Sequence, residues 1–215
     1  MLLKYYYYWQ QNVLPVTFID SIFKTIEEEK YEDGVTFGTS TSDTSKKRKL
    51  NAQKKTKRNT SIKWLEEPWI YNVTNPIVEC ANREAGWNFD WNYNEPIQFA
   101  KYSTNKYYGW HSDSLETPYV YDRPDNPNHH GKMRKLSTII SLNDASEYEG
   151  GEVEFDFRDG DPDKSKKSSN ISECKELKKK GTVITFPSHV WHRVKPVTKG
   201  TRYSLVLWHL GWPFK

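Results

Sequence analysis

Residues 97–113 read IQFAKYSTNKYYGWHSD, and the reading of this stretch decides the fold. Ile97-Gln98-Phe99-Ala100-Lys101-Tyr102 is strand-like, and from here on the pattern has period two, so alternate side chains face opposite sides of a pleated strand. The same signature returns at Leu136 to Leu142, at Val153, Phe155 and Phe157, at Thr182 to Phe186 after Gly181, and at Arg202 to Trp208. Many short strands separated by turns predict a sandwich or barrel. The stretch ends on His111-Ser112-Asp113, in which an imidazole and a carboxylate two residues apart point to one face and can converge on a metal ion. That dipeptide also arises as ordinary surface polarity, so alone it decides nothing.

Upstream the pattern is mixed. Residues 2–9, rich in Tyr, read as a strand. Ile19, Ile22, Phe23 and Ile26 fall at helical spacing, with Thr17 and Asp20 as a capping pair. A second helix is predicted with Asn75 as its cap, Pro76 in its first turn and Gly86 at its end, burying Ile77, Cys80, Ala81 and Ala85. Residues 38–60 are rich in Ser, Thr and Lys and read as a mobile basic loop. Asp122 to Gly131 and the charged insertion at residues 158–180 read as further loops.

The 215 residues carry 9 Trp, 14 Tyr and 9 Phe, enough large rings to build a core although only 35% of residues are apolar. We expect one domain over 1–215, with N-terminal helices and strands in 1–96 and the β core in 97–215. The net charge of +4 comes largely from Lys runs in the loops. Such runs attract nucleic acid or are simply solvated, and solvation is the plainer reading. Cys80 and Cys174 form no disulfide framework, which fits a reducing, cytoplasmic setting. No stretch approaches a membrane span or a secretion signal.

A metal site needs a third ligand. His192 lies 81 residues after His111, beyond the strand 182–186 and the turn Pro187-Ser188. Two imidazoles and one carboxylate leave half an octahedron open, the usual arrangement for Fe(II) centres that activate oxygen, whereas structural zinc favours thiolates. His189 is the alternative ligand. His129 and His130 sit in a loop and read as solvated. Arg202 shares a strand face with Ser204, Val206 and Trp208. Pointing inward, it requires a carboxylate partner, and nothing acidic lies near it in sequence. The competing reading puts it at a barrel rim beside a remote Asp or Glu. His209 is expected on the outer face. Trp64, Trp69, Trp87 and Trp91 serve either as packing or as a peptide-recognition surface.

His111-x-Asp113, His192 and Arg202 together resemble the 2-oxoglutarate/Fe(II)-dependent oxygenases, most closely the prolyl 4-hydroxylase-like branch. The likeness extends to Tyr102 and Tyr108 ahead of His111, to Ser141-Leu142-Asn143-Asp144 followed by Gly150-Gly151-Glu152, to His192 through Trp208, and to Arg58 with Trp64-Leu65. The resemblance implies a mainly β fold with flanking helices around a double-stranded β-helix, or jelly roll. It implies Fe(II) on His111, Asp113 and His192. The 2-oxoglutarate would lie against Arg202 and Tyr102, with Val206 and Trp208 lining its pocket. Ser141 stands where oxygen-sensing relatives place a Tyr on the co-substrate, and a hydroxyl contact is expected there. Arg58 and Tyr108 are the expected substrate contacts. The implied reaction consumes molecular oxygen and hydroxylates a protein or peptide residue, proline foremost, releasing succinate and CO2. Competing expectations are oxidation of a free amino acid, another small molecule or a nucleobase, and a non-enzymatic binding barrel. Nucleobase repair is disfavoured because no Arg follows Arg202. Halogenation is disfavoured because Asp113 fills the position such chemistry needs empty.

Overall fold

The alternation that begins at residue 97 is realised as paired strands. The computed structural model describes residues 5–27, 31–34, 57–114, 117–120, 128–157 and 170–214. Its elements are β1 (Tyr8–Gln10), α1 (Phe18–Ile26), β2 (Glu32–Asp33), β3 (Arg58–Asn59), β4 (Ser61–Leu65), α2 (Pro68–Glu84), β5 (Tyr93–Asn94), β6 (Ile97–Ser103), β7 (Tyr107–His111), β8 (Met133–Ser141), β9 (Tyr148–Gly150), β10 (Val153–Asp156), β11 (Ile171–Glu173), β12 (Val183–Pro187), β13 (Trp191–Val194) and β14 (Val197–Gly211). They form two antiparallel sheets. The larger runs β1-β12-β8-β14-β6-β4-β2, with β5 and β9 attached to β14; the smaller runs β11-β10-β13-β7-β3. This is the predicted jelly-roll arrangement of facing sheets.

Period two assigns the two faces of the larger sheet to different tasks. On β14, Leu205 and Leu207 face outward and join Phe18, Ile22, Ile70, Ile97, Phe99 and Ile140 in one buried cluster, so α1 and α2 seal that face. Truncating a fully buried Leu or Ile to Ala costs about 2–5 kcal/mol, which makes the helices part of the core and not decoration. The opposite face contributes Tyr102, Ile139, Ile184 and Phe186 to a second cluster with Val153, Phe155 and Val194 of the smaller sheet. Arg202, Ser204, Val206 and Trp208 look into the gap left between the sheets.

Several expectations are corrected. Of the strand expected at residues 2–9, residues 2–4 lie outside the described residues; β1 begins at Tyr8 and pairs with Val183–Thr185, while Tyr6 and Tyr7 stack on Phe157 and Phe155 at 4.3 and 5.2 Å. Thr17 lies before α1 but makes no side-chain cap. The second helix starts at Pro68, not beside Asn75, so Pro76 lies inside it. Both prolines suit a first turn, where the missing N–H is not needed. The buried stripe Ile70, Thr74, Val78 and Ala81 selects the earlier start. Ala81 and Ala85 are buried as expected, but Cys80 is only partly so.

Thr198-Lys199-Gly200 has the composition of a turn but forms the first part of β14, paired to β9 with a register shift between Val197 and Lys199. Gly200 has φ +73°, and a Cβ there would lie 2.2 Å from the Glu147 carbonyl oxygen. A bulge with glycine at the crowded point lets the strand bend and continue. Of the loop expected at 38–60, residues 38–56 lie outside the described residues. Its end is ordered: Arg58–Asn59 pair with Tyr107–Tyr108. Residues 158–169 of the insertion also lie outside the description, and its return strand β11 pairs with β10.

His209 lies on the outer face of β14, as expected, but that face is covered there and the residue is fully buried. Nδ1 bonds Asn94 Oδ1 at 2.8 Å, and the ring lies 4.7 Å from Trp91. Burial pushes its pKa from 6.5 down to about 3. The unfolded chain therefore takes up this proton first. The stability that neutral His209 contributes is complete above pH 6.5 and is lost as pH falls toward 3, by up to about 1.4 kcal/mol per pH unit. Urea unfolding between pH 7 and 4 should show this decline, and His209→Gln, which cannot titrate, should flatten it. An equally steep decline in the variant would assign the acid lability to other groups.

Candidate metal centre and co-substrate pocket

The smaller sheet supplies the ligands. His111 ends β7 and His192 lies in β13, and the two are direct register partners with ring centroids 4.1 Å apart. Asp113 follows two residues later. Its N–H and that of Ser114 both donate to the Ser188 carbonyl, at 3.0 and 2.9 Å, which ties the segment to the turn between β12 and β13. One ligand atom from each of His111, Asp113 and His192 lies within 4.8 Å of the others. His189 is exposed and outside this group.

Hydrogen bonding defines the tautomers. His111 Nδ1 lies 2.8 Å from the Gly109 carbonyl, and His192 Nδ1 lies 3.0 Å from the Val190 carbonyl. A carbonyl only accepts, so each Nδ1 carries the proton and each neutral ring keeps a lone pair on Nε2. Those Nε2 atoms sit 3.8 and 3.6 Å from Asp113 oxygens. Burial, with His192 beside it, holds the His111 pKa well below its ordinary value despite Asp113. Three electron-pair donors thus converge in a buried place, which calls for a cation. An Fe(II) ion fits this donor set and would retain open positions.

Asp113 has its own support. Ser137 Oγ donates to Oδ2 at 2.7 Å and lies 2.9 Å from Ser188 Oγ. Burial works to raise the Asp113 pKa, but His192, His111, Arg134 and the Ser137 hydroxyl prevail and lower it to about 2. Arg134 Nη1 is 3.9 Å from Asp113. Arg134 is clamped by Glu95, with Nε 3.1 and 3.0 Å from the two carboxylate oxygens, and stacks 4.0 Å from the Trp208 ring centroid. Sequence reading singled out none of Ser137, Ser188, Arg134 and Glu95. Ser137 was accessible through strand parity with Ile139; the others depend on contacts distant in sequence.

The cavity beside the ligands measures about 380 Å³ including its open mouth. Arg202 lines it at only 2% exposure. Its Nη1 donates to Ser204 Oγ at 3.2 Å, while Nη2 is buried with no hydrogen-bond partner among the described residues. Tyr102 is its register partner on β6, with the guanidinium carbon 5.5 Å from the ring centroid. Gly151 makes room for the Arg202 stem, since a Cβ there would lie 3.1 Å from Cδ. A buried guanidinium with an unmatched donor fits one carboxylate of 2-oxoglutarate. Val206 and Trp208 line the same cavity.

The other expected contacts divide. Tyr108 stacks on His111 with centroids 3.5 Å apart and planes 9° apart. Burial raises its phenol pKa, so the hydroxyl stays protonated. Arg58 is buried over the Tyr108 ring, 4.5 Å from its centroid, and donates to Gln98 Oε1 at 2.8 Å. Ser141 is a correction: its hydroxyl donates to the Asn143 carbonyl at 3.1 Å and does not line the cavity, where Ile139 stands instead. His129 is also corrected, from solvated to buried between Tyr93 and Tyr119, while His130 is exposed. Of the four tryptophans, Trp87 is buried, Trp69 packs on Phe18 and Trp91 on His209; Trp64 alone of these is exposed near the cavity, 6.2 Å from Trp208.

His111→Ala should abolish tight Mn(II) or Fe(II) binding in an anaerobic titration. Ser137→Ala should weaken it by roughly 10- to 100-fold, because the hydroxyl orients a ligating carboxylate. Unchanged affinity in Ser137→Ala would remove that hydroxyl from the metal centre.

The comparisons with known proteins agree with this geometry. The sequence profile of the 2OG-Fe(II) oxygenase superfamily matches residues 97–210, more than half of the chain. A PKHD-type hydroxylase of Xylella fastidiosa (strain M23) is 32% identical over 115 residues, covering 53% of this chain and 43% of that protein, so the match spans less than half of the relative's length. The crystal structure of a Pseudomonas putida prolyl-4-hydroxylase superposes with a TM-score of 0.60 at 17% identity, covering 95% of this chain and 91% of that one. A prolyl hydroxylase from Trichoplax adhaerens, solved with a hypoxia inducible factor oxygen degradation domain peptide fragment, gives 0.60 at 16% identity, covering 95% and 83%. Among the described residues no helix is long and apolar enough to cross a membrane. The double-stranded β-helix, the convergent His111, Asp113 and His192, and the matched profile lead to one conclusion: the chain belongs to the 2OG-Fe(II) oxygenase superfamily.

Proposed function

We propose that this protein uses Fe(II), 2-oxoglutarate and molecular oxygen to hydroxylate a residue of a peptide or protein, with proline the foremost candidate. The observation that carries the co-substrate assignment is the buried Nη2 of Arg202, unpartnered among the described residues, in the same cavity as the three metal ligands. His111, Asp113 and His192 would hold the iron. Arg202, beside Tyr102, would bind the distal carboxylate of 2-oxoglutarate. Bound together, iron and 2-oxoglutarate supply the oxidising power that inserts one oxygen atom into a C–H bond, with succinate and CO2 as co-products.

The remaining residues set the conditions for that chemistry. Val206 and Ile139 exclude water from the cavity wall. Ser137 and Arg134 orient Asp113. The stack of Tyr108 on His111 fixes one imidazole plane and puts a protonated phenol in the cavity wall. The peptide assignment is supported by the exposed Trp64 beside Trp208 at the mouth, and by the peptide-bound structural neighbour from Trichoplax adhaerens.

The test is succinate release from 2-oxoglutarate in the presence of blocked proline peptides, other peptides and free amino acids, with mass spectrometry for a single added oxygen. A peptide should both stimulate turnover and gain oxygen. Stimulation by free amino acids alone overturns the peptide assignment, and metal binding with no succinate from any substrate favours a binding barrel. Arg202→Ala should raise the 2-oxoglutarate KM at least tenfold, since it removes a charge-assisted pair, while metal affinity stays within about threefold. A parallel loss of metal binding would contradict the separation of the two roles.

A further inference from the structure

Gln98 is a polar side chain in a wall that has no evident need of one. It faces the cavity from β6, between Val206 on β14 and Trp64 on β4 in the sheet register, and is 2% exposed. Arg58 Nη2 donates to its Oε1 at 2.8 Å. A guanidinium has donors only, so the atom facing Arg58 must be the amide oxygen. The flip is therefore chemically determined, and Nε2 points the other way. Among the described residues Nε2 has no hydrogen-bond partner. A donor that lines the cavity with no partner among those residues is available to an acceptor from outside the chain.

Position along the strand says what that acceptor belongs to. Tyr102 pairs with Arg202 at the co-substrate end of the cavity. Gln98 lies four residues away on β6, roughly 13 Å at about 3.3 Å per residue, toward the mouth. There Trp64, 43% exposed, stands 6.2 Å from Trp208. The Gln98 amide beside these two flat rings, with the Trp208 indole N–H also lacking a partner among the described residues, suits an uncharged ring or aliphatic group that carries an adjacent carbonyl. The Arg58 charge behind the amide polarises it and strengthens Nε2 as a donor.

We propose that Gln98, oriented and polarised by Arg58, donates to an acceptor oxygen of the substrate and so determines specificity at the substrate end of the cavity. This rests on the hydroxylase reading above. Two sources offer that oxygen: a peptide backbone carbonyl or the carboxylate of a free amino acid.

The experiment uses the full chain with Zn(II) and 2-oxoglutarate, which does not turn over, and follows the side-chain amide resonance of Gln98 by nitrogen-15 NMR. The resonance is identified by its loss in Gln98→Met. The probes are N-acetylated, C-amidated proline tripeptides and free proline. A shift is expected with the tripeptides. With Fe(II), Gln98→Met and Gln98→Glu should raise the KM of a tripeptide about tenfold, with kcat and the 2-oxoglutarate KM moving less than about twofold. Arg58→Lys should give part of the same effect. A shift with free proline alone keeps Gln98 as the donor and overturns the peptide reading. A tripeptide that stimulates turnover without moving the resonance or its KM in the variants leaves the peptide reading standing and overturns the Gln98 assignment. A resonance unmoved by every probe, or a parallel rise in the 2-oxoglutarate KM, also overturns that assignment.

Discussion

Arg202 and Asp113 are two opposite charges held almost out of water in one cavity, and they do not pair with each other. Burying charge is costly unless it is matched. Asp113 is matched locally by the Ser137 hydroxyl and the nearby Arg134, while its side toward the two imidazoles is where a cation would sit. Arg202 is matched in part by Ser204 and keeps one donor unmet. The requirement that these charges face the same cavity without neutralising each other is what the two-sheet architecture satisfies, because Arg202 sits on the larger sheet and Asp113 just past the end of β7 in the smaller.

That arrangement depends on a division of labour within the larger sheet. Its outer face is sealed by α1 and α2 through apolar packing, so the inner face is free to carry Arg202, Gln98, Ser137 and Tyr102 on rigid strands. Rigid backbone holds polar groups in place more accurately than loops do. The polar network also reads as a sequence of supports. Glu95 clamps Arg134, Arg134 approaches Asp113 and stacks on Trp208, and Arg58 fixes Gln98. Each charged or polar member of the cavity is oriented by a neighbour whose own position is determined.

Where sequence reading failed, the failures share a cause. Pro68 and Pro76 satisfy the same local rule, and only the helix's packing face distinguishes them. Thr198-Lys199-Gly200 has turn composition, yet pairing with β9 keeps it in the strand. Ser141 has the right parity for the cavity, but a nearby carbonyl takes its hydroxyl. His209 alternates away from the cavity as parity requires; that this direction leads under Trp91 and Asn94 and not into solvent depends on elements more than a hundred residues away.

The sequence by itself determined the strand periodicity, which follows from two-residue alternation, and through the family resemblance it pointed to His111, Asp113, His192 and Arg202, while leaving His189 as a ligand and a rim position for Arg202 open. Only the tertiary structure decided the tautomers of the two histidines, the supports of Asp113, the inward burial of Arg58 and the orientation of the Gln98 amide. Those properties are hydrogen bonds between segments 24 to 76 residues apart, or to carbonyls whose direction the backbone path sets. Local sequence carries no record of such partners; the pairing of the sheets creates them.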